Sequence, residues 1–244
     1  MIDPTGGLAP RPAGSAVGVP TPRDRASPIL EPIVPAVLSV RRLPGADPAL
    51  IAAYGGDPAR HAALGLVTCD QDDAMYVALD EATKHAPVDV IFARSFYAGS
   101  AHASGRLSGE ILGVLAAAEP EAIEHGLAAV LRCLAHDACF YDADGKRGVT
   151  VFPHVITALG DYLSREAGLA PGTPMAYLVA PPIEATIGLD AALKAAEVRA
   201  VRLVPPPTET NFACAWLTGS LDACEAAATA YAAAVVDVAM TPKR

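Results

Sequence analysis

From about residue 31 onward, short runs of alternating or continuous apolar residues take turns with longer stretches in which apolar positions recur every three or four residues. The first pattern predicts strands and the second amphipathic helices. In the first half, residues 35–41, 64–69, 88–94 and 111–116 read as strands. Residues 73–86 and 120–135 read as helices, with Pro120 at an early helical position where its missing N–H is not needed. In the second half, residues 175–179, 198–204 and 211–217 read as strands. Residues 151–167 and 222–240 read as helices, as does the stretch whose stripe is Leu189, Ala192, Leu193 and Ala196. Strands and helices in this mixture predict an α+β fold, a sandwich in which helices cover a mostly antiparallel sheet.

The pattern occurs twice. Slid by 110 residues, Leu79-Asp80-Glu81-Ala82-Thr83-Lys84-His85-Ala86-Pro87-Val88 falls on Leu189-Asp190-Ala191-Ala192-Leu193-Lys194-Ala195-Ala196-Glu197-Val198. Leu, Asp, Ala, Lys, Ala and Val coincide. With a smaller offset, Glu121-Ala122-Ile123-Glu124 falls on Asp222-Ala223-Cys224-Glu225. Two matches in one order point to a tandem duplication of a unit of about 105 residues. The division expected is an extension over 1–30, a first copy over 31–141 and a second over 142–244. The extension mixes Pro4, Pro10, Pro12, Pro20, Pro22 and Pro28 with Gly6, Gly7, Gly14 and Gly18. It reads either as a disordered leader or as a short docking segment.

Composition narrows the function. Hydrophobic residues make up 52% and charged ones 18%, the profile of a chain that buries a core. A formal charge of −9 does not suit a nucleic-acid backbone or an anionic lipid surface, so neither nucleic acid nor membrane is expected as a partner. No apolar run approaches a bilayer span, and Met1-Ile2-Asp3-Pro4 does not open a signal peptide. The cysteines, Cys69, Cys133, Cys139, Cys214 and Cys224, are odd in number and lack CxxC spacing, which suits reduced thiols and a cytoplasmic location.

Catalytic signatures are missing. There is no GxGxxG, no GxxxxGK[ST] and no GxSxG in the chain. The six histidines are scattered, with no HxxxH or HExxH pair to set two ligands on one helix face. No catalytic residue, no metal and no cofactor is expected. One polar cluster stands out: Cys69-Asp70-Gln71-Asp72-Asp73 follows a predicted strand and opens a helix. Carboxylates there stabilise a helix N-terminus. The 110-residue shift carries Asp72 and Asp73 to Pro182 and Ile183, beside Glu184. Acid at the same turn of both copies would either cap two helices or line one cleft between the copies, suited to a small cation or polyol. The two readings remain open together.

The stretch from Glu184 to Val198 resembles the signature helix of bacterial microcompartment shell proteins. Four further strings are similar to the tandem-domain, trimeric shell proteins of the ethanolamine-utilisation compartment. They are Asp80-Glu81-Ala82-Thr83-Lys84, Arg94-Ser95-Phe96-Tyr97-Ala98-Gly99, Pro174-Met175-Ala176-Tyr177-Leu178-Val179-Ala180-Pro181-Pro182 and Val204-Pro205-Pro206-Pro207-Thr208-Glu209-Thr210-Asn211. The resemblance runs from about Ile29 to the C-terminus. It implies two tandem, circularly permuted shell domains, each a ferredoxin-like α/β sandwich. Three chains would form a pseudohexagonal disc that tiles with neighbouring shell proteins, located in the shell within the cytoplasm.

The resemblance also implies residue roles. Lys84 and Lys194 stand at the tile edge, where an ammonium can donate to carbonyls of a neighbouring disc. Small channels between the copies draw on Asp72, Asp73, Tyr97, Glu110, Phe140, Glu184 and Thr210, a set suited to small polar metabolites such as ethanolamine. A gated central pore follows Tyr97, through Ala98, Gly99, Ser100, Ala101, His102, Ala103, Ser104 and Gly105. Ser104 and Gly105 stand where relatives carry proline, which implies a looser gate. The alternative reading is a trimeric small-molecule-binding regulator or enzyme with its ligand in the acidic cleft, since fold alone does not fix function.

Overall fold

The computed structural model describes residues 30–96, 107–146, 148–206 and 212–243. The chain opens with strands β1 (Glu31–Ile33) and β2 (Val37–Leu43), helix α1 (Pro48–Ala53), strand β3 (Ala63–Cys69) and helix α2 (Asp72–His85). Strands β4 (Asp89–Ser95) and β5 (Ile111–Ala117) and helix α3 (Pro120–His136) complete the first unit. Strands β6 (Phe140–Asp142) and β7 (Thr150–Ile156), helix α4 (Asp161–Ala167), strand β8 (Met175–Ala180) and helix α5 (Pro182–Ala195) follow. Strands β9 (Arg199–Val204) and β10 (Ala213–Thr218) and helix α6 (Leu221–Met240) end the chain.

The duplication is explicit in the sheets. The first has the order β2-β3-β5-β4, and the second contains β7-β8-β10-β9, the same order with each strand replaced by its repeat. Every strand pairing among the described residues is antiparallel. The second sheet is longer, because β6 pairs with β7 and β1 pairs with β6. Strand β1, which the repeat counts with the first copy, thus extends the sheet of the second.

Alternation along each strand fixes the faces. In β3, Ala63, Val67 and Cys69 pack inward beneath α2 and α3, while Leu64 and Leu66 point outward toward α1. In β8, Ala176, Leu178 and Ala180 pack inward beneath α5 and α6, while Tyr177 and Val179 point outward. The outward face of the second sheet joins the core of the first unit, so one apolar cluster spans both. Asp80 of α2 ties them further. Its side chain is 1% exposed and accepts N–H bonds from Gly160 (2.7 Å) and Leu163 (2.8 Å), which satisfies the open end of α4. Thr83 Oγ1 accepts from Asp161 N at 3.0 Å, and Lys84 Nζ donates to Ala158 O at 3.0 Å.

Two sequence expectations are corrected. Residues 151–167 do not form one helix. They hold β7 and then α4, because Val151, Val155 and Ile156 favour an extended chain and Pro153 and Gly160 break a helix. Pro153 is tolerated in β7 because β6 pairs only with Thr150 and Val151, leaving one side of the strand open beyond them. Helix α6 does reach the length and mean hydropathy of a bilayer span, 1.3 over its apolar window, where no such run was expected. Its hydropathy comes largely from alanine, and Cys224, Ala227, Tyr231 and Val235 pack it into the second core. All five cysteines are free thiols, and burial pushes Cys69 and Cys133 up to about 12.

Candidate functional site

A cavity of about 230 Å³ lies between the units, where the start of α2 meets the outward face of the second sheet. Strand β3 ends at Cys69, and two residues later the chain turns into α2, so Asp72 and Asp73 occupy its first turn. They stabilise that turn and line the cavity at once. Asp72 accepts from the Asp73 N–H (2.9 Å) and from Ser95 Oγ (2.7 Å). Asp73 is nearly buried, and Tyr177 donates to its Oδ1 at 2.5 Å. Burial disfavours a phenolate, and the neighbouring Asp73 carboxylate adds to it, so Tyr177 is held well above the usual tyrosine range.

Glu110 stands just before β5, held by its N–H to Cys69 O at 2.8 Å. Burial and then the charges of Asp72 and Asp70 push its carboxyl above the usual range. Glu110, Asp72 and Asp70 therefore share one negative field at the mouth of β3. On the opposite wall, Arg202 lies over the Trp216 ring, 4.8 Å from its centre.

The structure thus brings Asp72 and Asp73 into one cavity wall, while Glu110 is near enough to feel the charge of Asp72 but is not among the residues that line the cavity. Phe140 is buried in β6, its N–H bonded to Gln71 Oε1 and its ring 5.1 Å from that of Phe152, so it packs beneath the site rather than lining the cavity. Glu184 stands in the first turn of α5, as the shift from Asp72 and Asp73 expects, but it does not line the cavity. The reason is the sheet: α5 covers the inward face of β8, and the cavity opens on the outward face. Tyr97, the pore loop over 98–105 and Thr210 lie outside the described residues. Lys84 is occupied within the chain by Ala158 O and by Glu81, while Lys194 is 73% exposed and pairs with Asp190 at 2.6 Å.

Tyr76, Tyr162, Tyr177, Arg202 and Trp216 also line the cavity and were not found from the sequence. Nothing in their spacing marks them, because cross-strand pairing and the packing of α4 bring them there. Among the described residues, no group of three or more His, Cys, Asp or Glu side chains is placed to hold a metal ion.

Two repeats of one β-α-β-α-β-β-α unit, joined through an acidic cleft, define a tandem pair of circularly permuted microcompartment shell domains, and residues 63–139 match the BMC domain. The chain is 49% identical over 179 residues to the bacterial microcompartment shell protein EutL of Salmonella typhimurium, a match covering 73% of this chain and 82% of that protein. It is 43% identical over 222 residues to EutL of Escherichia coli, covering 88% and 98% of the two chains. The crystal structure of EutL from Clostridium perfringens superposes with a TM-score of 0.83 at 46% identity, covering 87% of this chain and 96% of that one. The chain belongs to the EutL family of bacterial microcompartment shell proteins.

Proposed function

We propose that the chain is a structural tile of the ethanolamine-utilisation shell, without catalytic activity, assembled as a trimer in which six homologous units form a pseudohexagonal disc. The observation that carries this reading is the repeat itself. Two units of one topology, joined side by side in one chain, are a third of a six-fold ring. The unit boundaries proposed are those of the sequence, 31–141 and 142–244, with β1 and the Phe140–Tyr141 part of β6 lent to the second sheet. Lys84 and Lys194 are assigned to the disc perimeter, facing neighbouring shell proteins in the layer. The test is the native mass by light scattering, followed by electron microscopy. Three times the 25.0 kDa of one chain and two-dimensional sheets are expected. Lys194→Asp should keep the trimer and stop the sheets, and sheets that persist in this variant would remove the edge assignment.

The inter-unit cleft serves, in this reading, as a small channel for a polar metabolite bearing an ammonium group, such as ethanolamine. Asp72 and Asp73 in the cavity wall support it, with Glu110 sharing the field of Asp72 from beside the cavity, since carboxylates concentrate a small cation and wall carboxylates can accept its N–H groups. Tyr97, Phe140, Glu184 and Thr210 are assigned to the channel and residues 98–105 to a gated central pore on the strength of the family resemblance. Asp72→Asn combined with Glu110→Gln is expected to weaken ethanolamine binding about tenfold or more, as a charge-assisted acceptor in the wall and the charge beside it are lost. Because Glu110 titrates above the usual range, wild-type binding should fall on acidification at a higher pH than an ordinary glutamate would give. Stability runs the other way: a raised carboxyl favours the fold below its ordinary value of 4.5 and loses that contribution as pH rises, so Glu110→Gln should melt slightly higher at pH 7. Unchanged calorimetric binding in the double variant would leave Asp72 as a helix-end residue only.

A further inference from the structure

The walls of the inter-unit cavity carry opposite charges. Asp72 and Asp73 in the first turn of α2 and Glu166 of α4 supply the acidic side. Strands β9 and β10 supply the other, where Arg202 and Trp216 pair across the strands. The Arg202 guanidinium lies over the Trp216 ring and pairs with no carboxylate among the described residues. Trp216 is 5% exposed, and its indole N–H has no hydrogen-bond partner among the described residues. The fold does not require a cation at this place. Shifted by 110 residues, Arg202 falls on Phe92 of β4, which pairs with Val114 of β5 as Arg202 pairs with Trp216. The first unit thus fills the same cross-strand position with two apolar side chains, Phe92 packing edge-on against Tyr54 at 5.3 Å.

We propose that the cavity binds a short zwitterion, its ammonium on the Asp72 side and its oxyanion on Arg202, with the Trp216 N–H as a second donor. This rests on the reading of the cleft as an ammonium site and names the other end of the ligand. A plain amine is drawn in by the carboxylates and pushed back by the guanidinium. An oxyanion on the same molecule turns that repulsion into a charge-assisted hydrogen bond, which a planar guanidinium forms well. A plain anion fares badly, because the cavity wall sets three carboxylates, those of Asp72, Asp73 and Glu166, in a chain of formal charge −9. Only a ligand with both charges suits both walls. The unpaired indole N–H fits the same ligand, since a buried donor without a partner carries a cost that a ligand oxygen removes. The cavity of about 230 Å³ has room for an aminoethyl chain ending in a carboxylate or a phosphate, so both oxyanions fall within the class.

The full-length protein is titrated by calorimetry with ethanolamine, β-alanine, 2-aminoethyl phosphate and propionate. Trp216 is the one tryptophan of the chain, so its emission reports whether a ligand reaches this wall. β-Alanine or 2-aminoethyl phosphate is expected to bind about tenfold tighter than ethanolamine and to shift the emission, and the tighter of the two identifies the oxyanion. Propionate should not bind. Arg202→Gln should abolish the advantage of the zwitterion and bind ethanolamine more tightly than wild type, while Arg202→Lys should keep most of the advantage. Arg202 is exposed on an edge strand, and far-UV circular dichroism checks that both variants stay folded. Ethanolamine binding with neither zwitterion binding tighter would overturn the proposal and leave the ammonium site standing. A zwitterion whose advantage survives Arg202→Gln, or which leaves the Trp216 emission unchanged, would overturn the assignment of its oxyanion to this wall. Propionate binding as tightly as β-alanine would overturn the need for two poles. Binding of neither ethanolamine nor a zwitterion would remove the ammonium reading, and the proposal with it.

Discussion

Asp80→Ala is expected to lower the melting temperature by about 10 °C, from a loss of about 3–5 kcal/mol. The carboxylate is 1% exposed and sits between the units, accepting from Gly160 and Leu163 at 2.7 and 2.8 Å. These are orphan donors of the first turn of α4, with no acceptor inside their own helix. Alanine leaves both N–H groups buried without their acceptor. Burial pushes the Asp80 carboxyl up, while the two N–H bonds and the Lys84 ammonium oppose the shift. Asp80→Asn keeps one acceptor oxygen and turns an amide N–H₂ toward a backbone donor, so its loss should be smaller than that of alanine but still clear. Because the lost contacts join the two units, calorimetry should show the single transition broadening or dividing. A shift under about 2 °C would mean that the apolar cluster shared by the units holds them together without this tie.

How much of this was legible depends on the range of the interactions involved. Helices α2 and α3 and strands β3, β4 and β5 carry their own period, and their bounds fall within a few residues of those read from the sequence. The duplication was legible because Leu-Asp, Ala, Lys, Ala and Val repeat in phase. Strands β1 and β6 were not, since three residues have no period and each exists only by pairing with a partner far along the chain. The helical reading of 151–167 failed because apolar spacing in that stretch fits both periods, and pairing with β8 decided for the strand. In the site, Asp72 and Asp73 were legible from their place at a strand-to-helix turn. Glu184 occupies the equivalent turn, yet a linear shift does not say which face of a sheet a helix covers, and α5 lies on the face away from the cavity. Arg202 and Trp216 reach the cavity through a cross-strand pair that no local pattern announces.

The second large effect is expected at Gly109, where fold and cleft meet. Gly109 has φ +65°, and a Cβ built there lies 2.1 Å from the carbonyl oxygen of Cys69 and 2.6 Å from its carbon. Both atoms are backbone at the end of β3, so no side chain can turn aside. The same carbonyl accepts the Glu110 N–H at 2.8 Å, and this bond sets where Glu110 enters the acid field. Gly109→Ala must push β3 and the start of β5 apart, with an expected loss of about 3–5 kcal/mol from strain and lost pairing. Gly145 supplies the control. Its φ is +69°, but nothing lies within 4 Å of an added Cβ, so Gly145→Ala should lose only about 1–2 kcal/mol for the left-handed backbone alone. The gap between the two variants in thermal unfolding isolates the collision from the backbone preference. The Gly109 variant should also lose ethanolamine binding to the extent that Glu110 moves, while the Gly145 variant should keep it. Equal stability losses at the two sites would show that β3 yields to the added methyl group, and that Cys69 O does not fix the position of Glu110.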